Sequence, residues 1–160
     1  MTQLSFHSPV GALTLTEEEG AIVALDWGQA PDDFIAETPL LNAARAQVDA
    51  YFDGRLRAFD LPLRPAGTAF QLRVWQAMAA IPYGQVRRYG DLAGQLATGA
   101  RAIGTACGRN PIPIIVPCHR VIGAHGGLGG YSGQDGVETK RFLLGLEGWT
   151  PGTEQQEHVP

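Results

Sequence analysis

The hydrophobic period of this chain changes once, after residue 27, and that change narrows the folds open to it. Apolar and polar residues alternate in Leu4-Ser5-Phe6-His7-Ser8-Pro9 and in Ala12-Leu13-Thr14-Leu15-Thr16, and Ala21–Trp27 follows as a third run. Pro9-Val10-Gly11 and Glu19-Gly20 break the runs as turns, so the opening reads as antiparallel strands. Beyond it, apolar residues recur at helical spacing. A helix is expected over Leu40–Phe52, with Leu41, Ala44, Val48 and Phe52 on one stripe and Gly54 just past its end. Residues 59–67, FDLPLRPAG, form a connector. Thr68-Ala69-Phe70-Gln71 has the form of a capping box and opens a helix whose stripe is Phe70, Val74, Trp75 and Met78.

Two short helices then follow in tandem. Arg88–Leu96 places Tyr89, Leu92, Ala93 and Leu96 on one face, Thr98-Gly99 turns, and Gly99–Gly108 carries the second helix. This is a helix-turn-helix shape, although helical hairpins of this size also simply pack. The second helix has no Asn, Gln or Lys to read base edges, only Arg101 among small residues. Small residues allow close backbone approach and one long cation can be inserted, which suits the minor groove without sequence reading. A last helix is expected over Val137–Leu146, with Asp135-Gly136-Val137-Glu138 as its capping box and Gly148 past its end. Residues 149–160 read as a frayed tail.

The 160 residues make one domain or two small lobes, and no segment approaches the roughly 18 apolar residues of a membrane span. The start, MTQLSFHSPVG, lacks a basic region followed by an apolar core, so no secretory signal is expected. Cys107 and Cys118 are the two cysteines; neither sits in a stapled scaffold, and a reducing cytoplasm is the simpler setting. His7, His125 and His158 are scattered, so no metal site is expected. The net charge of −4 is unevenly spread: residues 1–63 carry −7, residues 64–148 carry +5 and the tail −2. A basic C-terminal portion is suited to facing an anion.

That portion contains PIIVPCHRVIG, residues 113–123. Pro117 has a fixed φ and biases Val116 toward extended geometry, so Cys118 is expected to leave a strand-like segment at a defined angle. A cysteine so placed is either a small buried hydrophobe or a presented nucleophile. A thiol attacks only as thiolate, and a base oriented by a carboxylate supplies that form. His119 is adjacent, and Glu147 ends an apolar helix where an unpaired carboxylate is poorly placed. Consecutive side chains of an extended chain point opposite ways, so a Cys118–His119–Glu147 relay requires a turn at the cysteine or a bridging water.

VPCHRVIG, preceded by GRNPIP and followed by GYSG and FLLGLEG, resembles the active-site signature of the O6-alkylguanine-DNA alkyltransferase (methylated-DNA–protein-cysteine methyltransferase) family. FDLPL, GTAFQLRVW and IPYGQVRRYGDLA resemble its upstream blocks, so the likeness is strong over residues 40–148 and looser over the strands. It implies an α/β fold: a small N-terminal lobe with an antiparallel sheet (1–63) and a helical, winged-helix-like lobe with a helix-turn-helix (64–148). It implies DNA repair in which Cys118 takes the alkyl group of O6-alkylguanine, and of O4-alkylthymine, irreversibly and once. His119 would deprotonate Cys118 through a water while Glu147 orients the imidazole. Asn110 would brace the segment between the helices and the site. Tyr89 would press on the target phosphate or donate to the base, and Arg101 would fill the space of a flipped guanine. Tyr131 and Ser132 would line the pocket, with the carbonyls of Cys118 and Val121 holding the exocyclic amine. The implied partner is double-stranded DNA, bound through the minor groove without sequence preference by a monomer in the cytoplasm, with no membrane and no cofactor.

The spacing departs from the family pattern in two places. The stretch between Tyr89 and Arg101 is about two residues shorter, and that between Tyr131 and Lys140 about two longer, through Gln134-Asp135. The longer loop is expected either to let the pocket wall retreat for bulky adducts or merely to cap the last helix. Some relatives hold a structural zinc in the N-terminal lobe, which here has no cysteine. Arg120 is expected to pair structurally, and Cys107 to pack. A thiol hydrolase, or a lesion sensor that replaces the cysteine, are the readings from other classes.

Overall fold

Thr2–Ser8 (β1), Gly11–Glu18 (β2) and Ala21–Trp27 (β3) form an antiparallel sheet in the order β1-β2-β3. The computed structural model describes residues 1–31, 36–124, 127–128 and 136–150. Leu4 pairs with Leu15 and Phe6 with Leu13, which puts all four side chains on the buried face. The threonines of β2 are buried as well. Thr14 Oγ1 donates to Gly28 O at 2.8 Å, and Gln3 Nε2 donates to Thr16 Oγ1 at 3.1 Å, so neither hydroxyl is left without a partner.

The outer edge of β3 is covered by chain from elsewhere. Ile22 N–H donates to Pro62 O at 2.8 Å, Arg64 N–H to Ile22 O at 2.9 Å, and Leu25 N–H to Pro111 O at 2.9 Å. These bonds satisfy an edge that would otherwise offer unpaired amides. The connector 59–67 therefore runs partly beside the sheet. Pro39–Phe52 (α1) packs on the sheet, opened by Thr38, whose hydroxyl accepts the Leu41 amide at 3.0 Å. Its buried stripe is Leu41, Ala44, Val48 and Tyr51. Tyr51 takes the buried place expected for Phe52, which is half-buried.

Contacts divide the chain into two units, Met1–Ala66 with Pro111–Ile115, and Gly67–Asn110 with the chain from Val116 onward. A division in chain order at 63/64 omits the return of residues 111–115 to the first unit. The second unit holds Ala69–Ala79 (α2), Arg87–Arg88 (β4), Tyr89–Gln95 (α3), Ala100–Gly108 (α4), Val121–Ile122 (β5) and Val137–Leu146 (α5). At the start of α2, Thr68 Oγ1 accepts the Gln71 amide at 3.1 Å and Gln71 Oε1 accepts the Thr68 amide at 2.9 Å. Trp75 Nε1 donates to Ala106 O at 2.9 Å and ties α2 to α4. The tandem α3 and α4 bury Leu92, Ala93, Ile103 and Ala106.

Three expectations are corrected here. Arg88 belongs to β4, paired in parallel with Ile122 of β5, and α3 begins one residue later. The N-cap of α5 is Gly136, at φ +56 and with no side-chain cap; Asp135 itself lies outside the described residues. Trp149 is 2% exposed and packs with Ile122, Leu128 and Leu144, so the tail does not start at that residue. Residues 151–160 are outside the described chain. Among the described residues, no helix is long and apolar enough to cross a membrane.

Candidate active site

The run leading to Cys118 is a turn, not a strand. Ile115 N–H donates to Pro113 O at 2.8 Å, and Ile114 sits at φ +72, a left-handed value rare for a β-branched residue. Such a backbone costs about 1–3 kcal/mol. Full burial of the Ile112 and Ile114 side chains, about 1.5–3 kcal/mol each, is of the right size to offset it. Cys118–Arg120 then form one turn of 3-10 helix, with Arg120 N–H donating to Pro117 O at 3.0 Å. Three residues per turn spread successive side chains about 120° apart. The turn required for a relay is therefore present at the cysteine. Asn110, which follows the C-cap of α4, is 8% exposed and donates from Nδ2 to Val116 O at 2.8 Å. It fastens the end of α4 to the residue before Pro117.

Glu147, the C-cap of α5, is where the turn is anchored. His119 Nε2 lies 2.6 Å from Glu147 Oε2. Arg120 donates from Nε to Glu147 Oε1 at 2.8 Å and from Nη2 to Oε2 at 3.1 Å, and the Gly84 amide donates to Oε1 at 3.2 Å. Gly84 is at φ +81, and a Cβ there would meet the Glu147 carbonyl oxygen at 3.1 Å, so glycine suits this position twice over. His119 is fully buried, and among the described residues its Nδ1 has no hydrogen-bond partner. Burial pulls the imidazole pKa down; the hydrogen bond and charge of Glu147 pull it up, and Arg120 and Lys140 pull it down.

Lys140 is a further buried charge, 1% exposed, donating from Nζ to Val121 O at 2.6 Å. Burial brings its pKa down to about 8, against the pull of Cys118 and Cys107. Its ammonium stands 5.7 Å from the centre of the Tyr89 ring. Burial pushes the Tyr89 phenol up to about 12, with Cys107 and Cys118 acting in the same sense. Cys118 is 4% exposed and not in a disulfide. Cys107 is buried as well, its S–H directed at Met78 Sδ at 3.3 Å, and burial raises its pKa to about 12.

The structure thus joins His119 to Glu147 beside Cys118, and gives Val121 a lysine partner. Tyr89, the first residue of α3, is half-buried, while Arg101 is exposed on α4. Arg101 borders a groove of about 530 Å³ with Phe70, Ala102 and Thr105. Tyr131, Ser132 and Gln134 lie outside the described residues. Among the described residues, no group of three or more His, Cys, Asp or Glu is placed to hold a metal ion. Sequence reasoning missed Lys140 and Gly84 and expected Arg120 to pair without naming Glu147 as its partner. Lys140 did carry a signal: it lies three and four residues before Leu143 and Leu144, on the apolar stripe of α5.

A tandem-helix unit carrying a buried cysteine beside a histidine–glutamate pair defines a class of thiol-bearing, helix-turn-helix protein, and comparison gives the family. Residues 69–149 match the DNA-binding domain of 6-O-methylguanine DNA methyltransferase, and residues 2–65 match its ribonuclease-like domain. The methylated-DNA–protein-cysteine methyltransferase of Methanosarcina acetivorans is 43% identical over 151 residues, 89% of this chain and 96% of that one. The constitutive enzyme of that name from Bacillus subtilis is 43% identical over 152 residues, 88% and 92% of the two chains. The crystal structure of Mycobacterium tuberculosis OGT in complex with DNA superposes with a TM-score of 0.82 at 46% identity, covering 92% of both chains. The chain belongs to the 6-O-methylguanine DNA methyltransferase family.

Proposed function

We propose that this protein repairs DNA by moving the alkyl group of O6-alkylguanine, and of O4-alkylthymine, onto its own Cys118. The observation that carries the reading is the 2.6 Å His119–Glu147 contact directly behind the cysteine turn. The thiol proton passes through a water to His119 Nδ1 as Sγ attacks the alkyl carbon. The new S–C bond forms as the alkyl C–O bond breaks, its electron pair stays on the nucleobase, and the nucleobase takes up one proton as His119 releases one through water. A thioether is chemically inert and no residue of the site is assigned to hydrolyse it, so each chain reacts once. Glu147 orients the imidazole, and Asn110 holds the cysteine segment to α4.

The lesion sits inside a stacked duplex and must be extruded, at a cost of a few kcal/mol. Arg101, on a helix of small residues, fills the space left by the base as α4 enters the minor groove of any sequence. Tyr89 contacts the target phosphate or the base, the Cys118 and Val121 carbonyls hold the exocyclic amine, and Tyr131 and Ser132 complete the pocket. The protein works as a monomer in the cytoplasm. Incubation with O6-benzylguanine followed by intact mass spectrometry tests the chemistry: one benzyl adduct per chain, absent from Cys118→Ala, is expected. Continuous release of debenzylated base, or no adduct, overturns it.

A further inference from the structure

We propose that Arg120 is a positioning residue that sets the proton state of the relay. It holds Glu147 as a carboxylate through both oxygens, so that His119 is a neutral imidazole protonated on Nε2 and basic at Nδ1. The proposal rests on the reading above that His119 is the base for Cys118.

Consider the pair without the arginine. A buried carboxylate 2.6 Å from an imidazole stabilises the imidazolium. That cation carries a proton on both nitrogens and has no lone pair with which to accept the thiol proton. Arg120 changes the balance. Its fork engages both oxygens of Glu147, at 2.8 and 3.1 Å, and neutralises the carboxylate. With Glu147 and Arg120 already paired, protonating His119 would put an uncompensated positive charge in a fully buried place.

Two further observations point the same way. Nδ1 is buried without a partner among the described residues, so a proton there would be a buried cationic donor bonded to none of them. Arg120 is itself held, donating from Nη1 to Ile81 O at 2.7 Å and standing 5.8 Å from the centre of the Tyr83 ring. A second cation, Lys140 on α5, also opposes protonation of the imidazole. Among the described residues, the groups acting on His119 are thus Glu147, which favours the charged form, and Arg120 and Lys140, which disfavour it.

The direct test is nitrogen NMR of the intact wild-type protein labelled with 15N-histidine, His119 being assigned by the signal lost in His119→Gln. A neutral ring protonated on Nε2 at about pH 7 is expected; an imidazolium or a ring protonated on Nδ1 overturns the proposal. The second test follows single-turnover transfer from a lesion-bearing duplex against pH. Arg120→Gln removes the charge and should move the acid limb of the rate upward by about one pH unit. Arg120→Lys, which keeps the charge, should leave the limb where it is. A limb unmoved in a folded Arg120→Gln, with only the amplitude reduced, reduces Arg120 to a structural tie and overturns the proposal. Should Arg120→Gln not fold, the wild-type spectrum decides. His119→Gln separates the two readings: an undiminished rate there removes His119 as the base and leaves the assignment of its proton state to the spectrum alone.

Discussion

His119 and Glu147 meet at 2.6 Å across 28 residues of chain, with the carboxylate at the C-terminal end of α5. A negative charge in that position opposes the helix dipole, at a cost of about 0.3–1 kcal/mol. Two charge-assisted bonds from Arg120 and one from the Gly84 amide outweigh that cost. The carboxylate is kept where the helix alone would disfavour it.

Glu147→Gln keeps the size of the side chain and removes its charge. Single-turnover alkyl transfer at saturating DNA should slow by about 10²-fold or more, the usual worth of a positioned base. Affinity for unmodified duplex, measured by fluorescence anisotropy, should not change. Equal rates in the two proteins would take Glu147 out of the mechanism.

Lys140 gives stability a pH signature. Its pKa is about 8 in the fold, where burial disfavours the ammonium, and about 10.5 in the unfolded chain. Between those values the unfolded chain binds more protons, so this group makes stability rise with pH there; below about pH 8 its contribution is constant. The full span is about 3 kcal/mol. Cys107 acts oppositely, because its thiol is held up to about 12 while the unfolded thiol ionises earlier. The difference between wild type and Lys140→Met isolates the lysine. Urea unfolding at about pH 7.5, 9 and 10 should show the advantage of Lys140→Met shrinking as pH rises, and a constant difference would refute the assignment.

Cys107 packs against Met78, and the proposed transfer gives it no step. Cys107→Ala should accept one benzyl group at the wild-type rate while losing about 1 kcal/mol of stability. A folded Cys107→Ala that takes up no adduct would assign that thiol a chemical role.

Arg101→Ala separates docking from chemistry. The side chain is exposed on α4. Repair of a lesion in subsaturating duplex should fall about tenfold or more, some 1.4 kcal/mol, while the reaction with free O6-benzylguanine is unchanged. A parallel loss on the free base would place Arg101 in the alkyl pocket instead of on DNA.

Much of the framework is readable along the chain. The three strands, the stripe of α1 as far as Val48 and the Thr68–Gln71 capping box follow from alternation, helical period and cap chemistry, and the bounds of α5 from its helical period. Cys118, His119 and Glu147 were singled out from residue chemistry and family resemblance together, and the fold brings His119 and Glu147 to 2.6 Å. The β4–β5 pairing was not, because two parallel residues on each side leave no periodic trace. Ile114 escaped notice for a different reason: an isoleucine in an apolar run reads as strand, and only its burial in a turn accounts for a positive φ.

Features that depend on neighbours three or four positions away, such as caps, stripes and turns, were decided by the amino-acid order alone, because the interactions that make them lie within one turn or one hairpin. The contacts around Glu147 and Lys140 were decided only by the folded chain. Glu147 takes its partners from Gly84, His119 and Arg120, and Lys140 finds its acceptor on Val121. Each of these contacts joins residues 19 to 63 positions apart, and their energies depend on burial that no local pattern records. Cys118 is singled out by its sequence context and the family resemblance; the pairing of His119 with Glu147 beside it is made by packing.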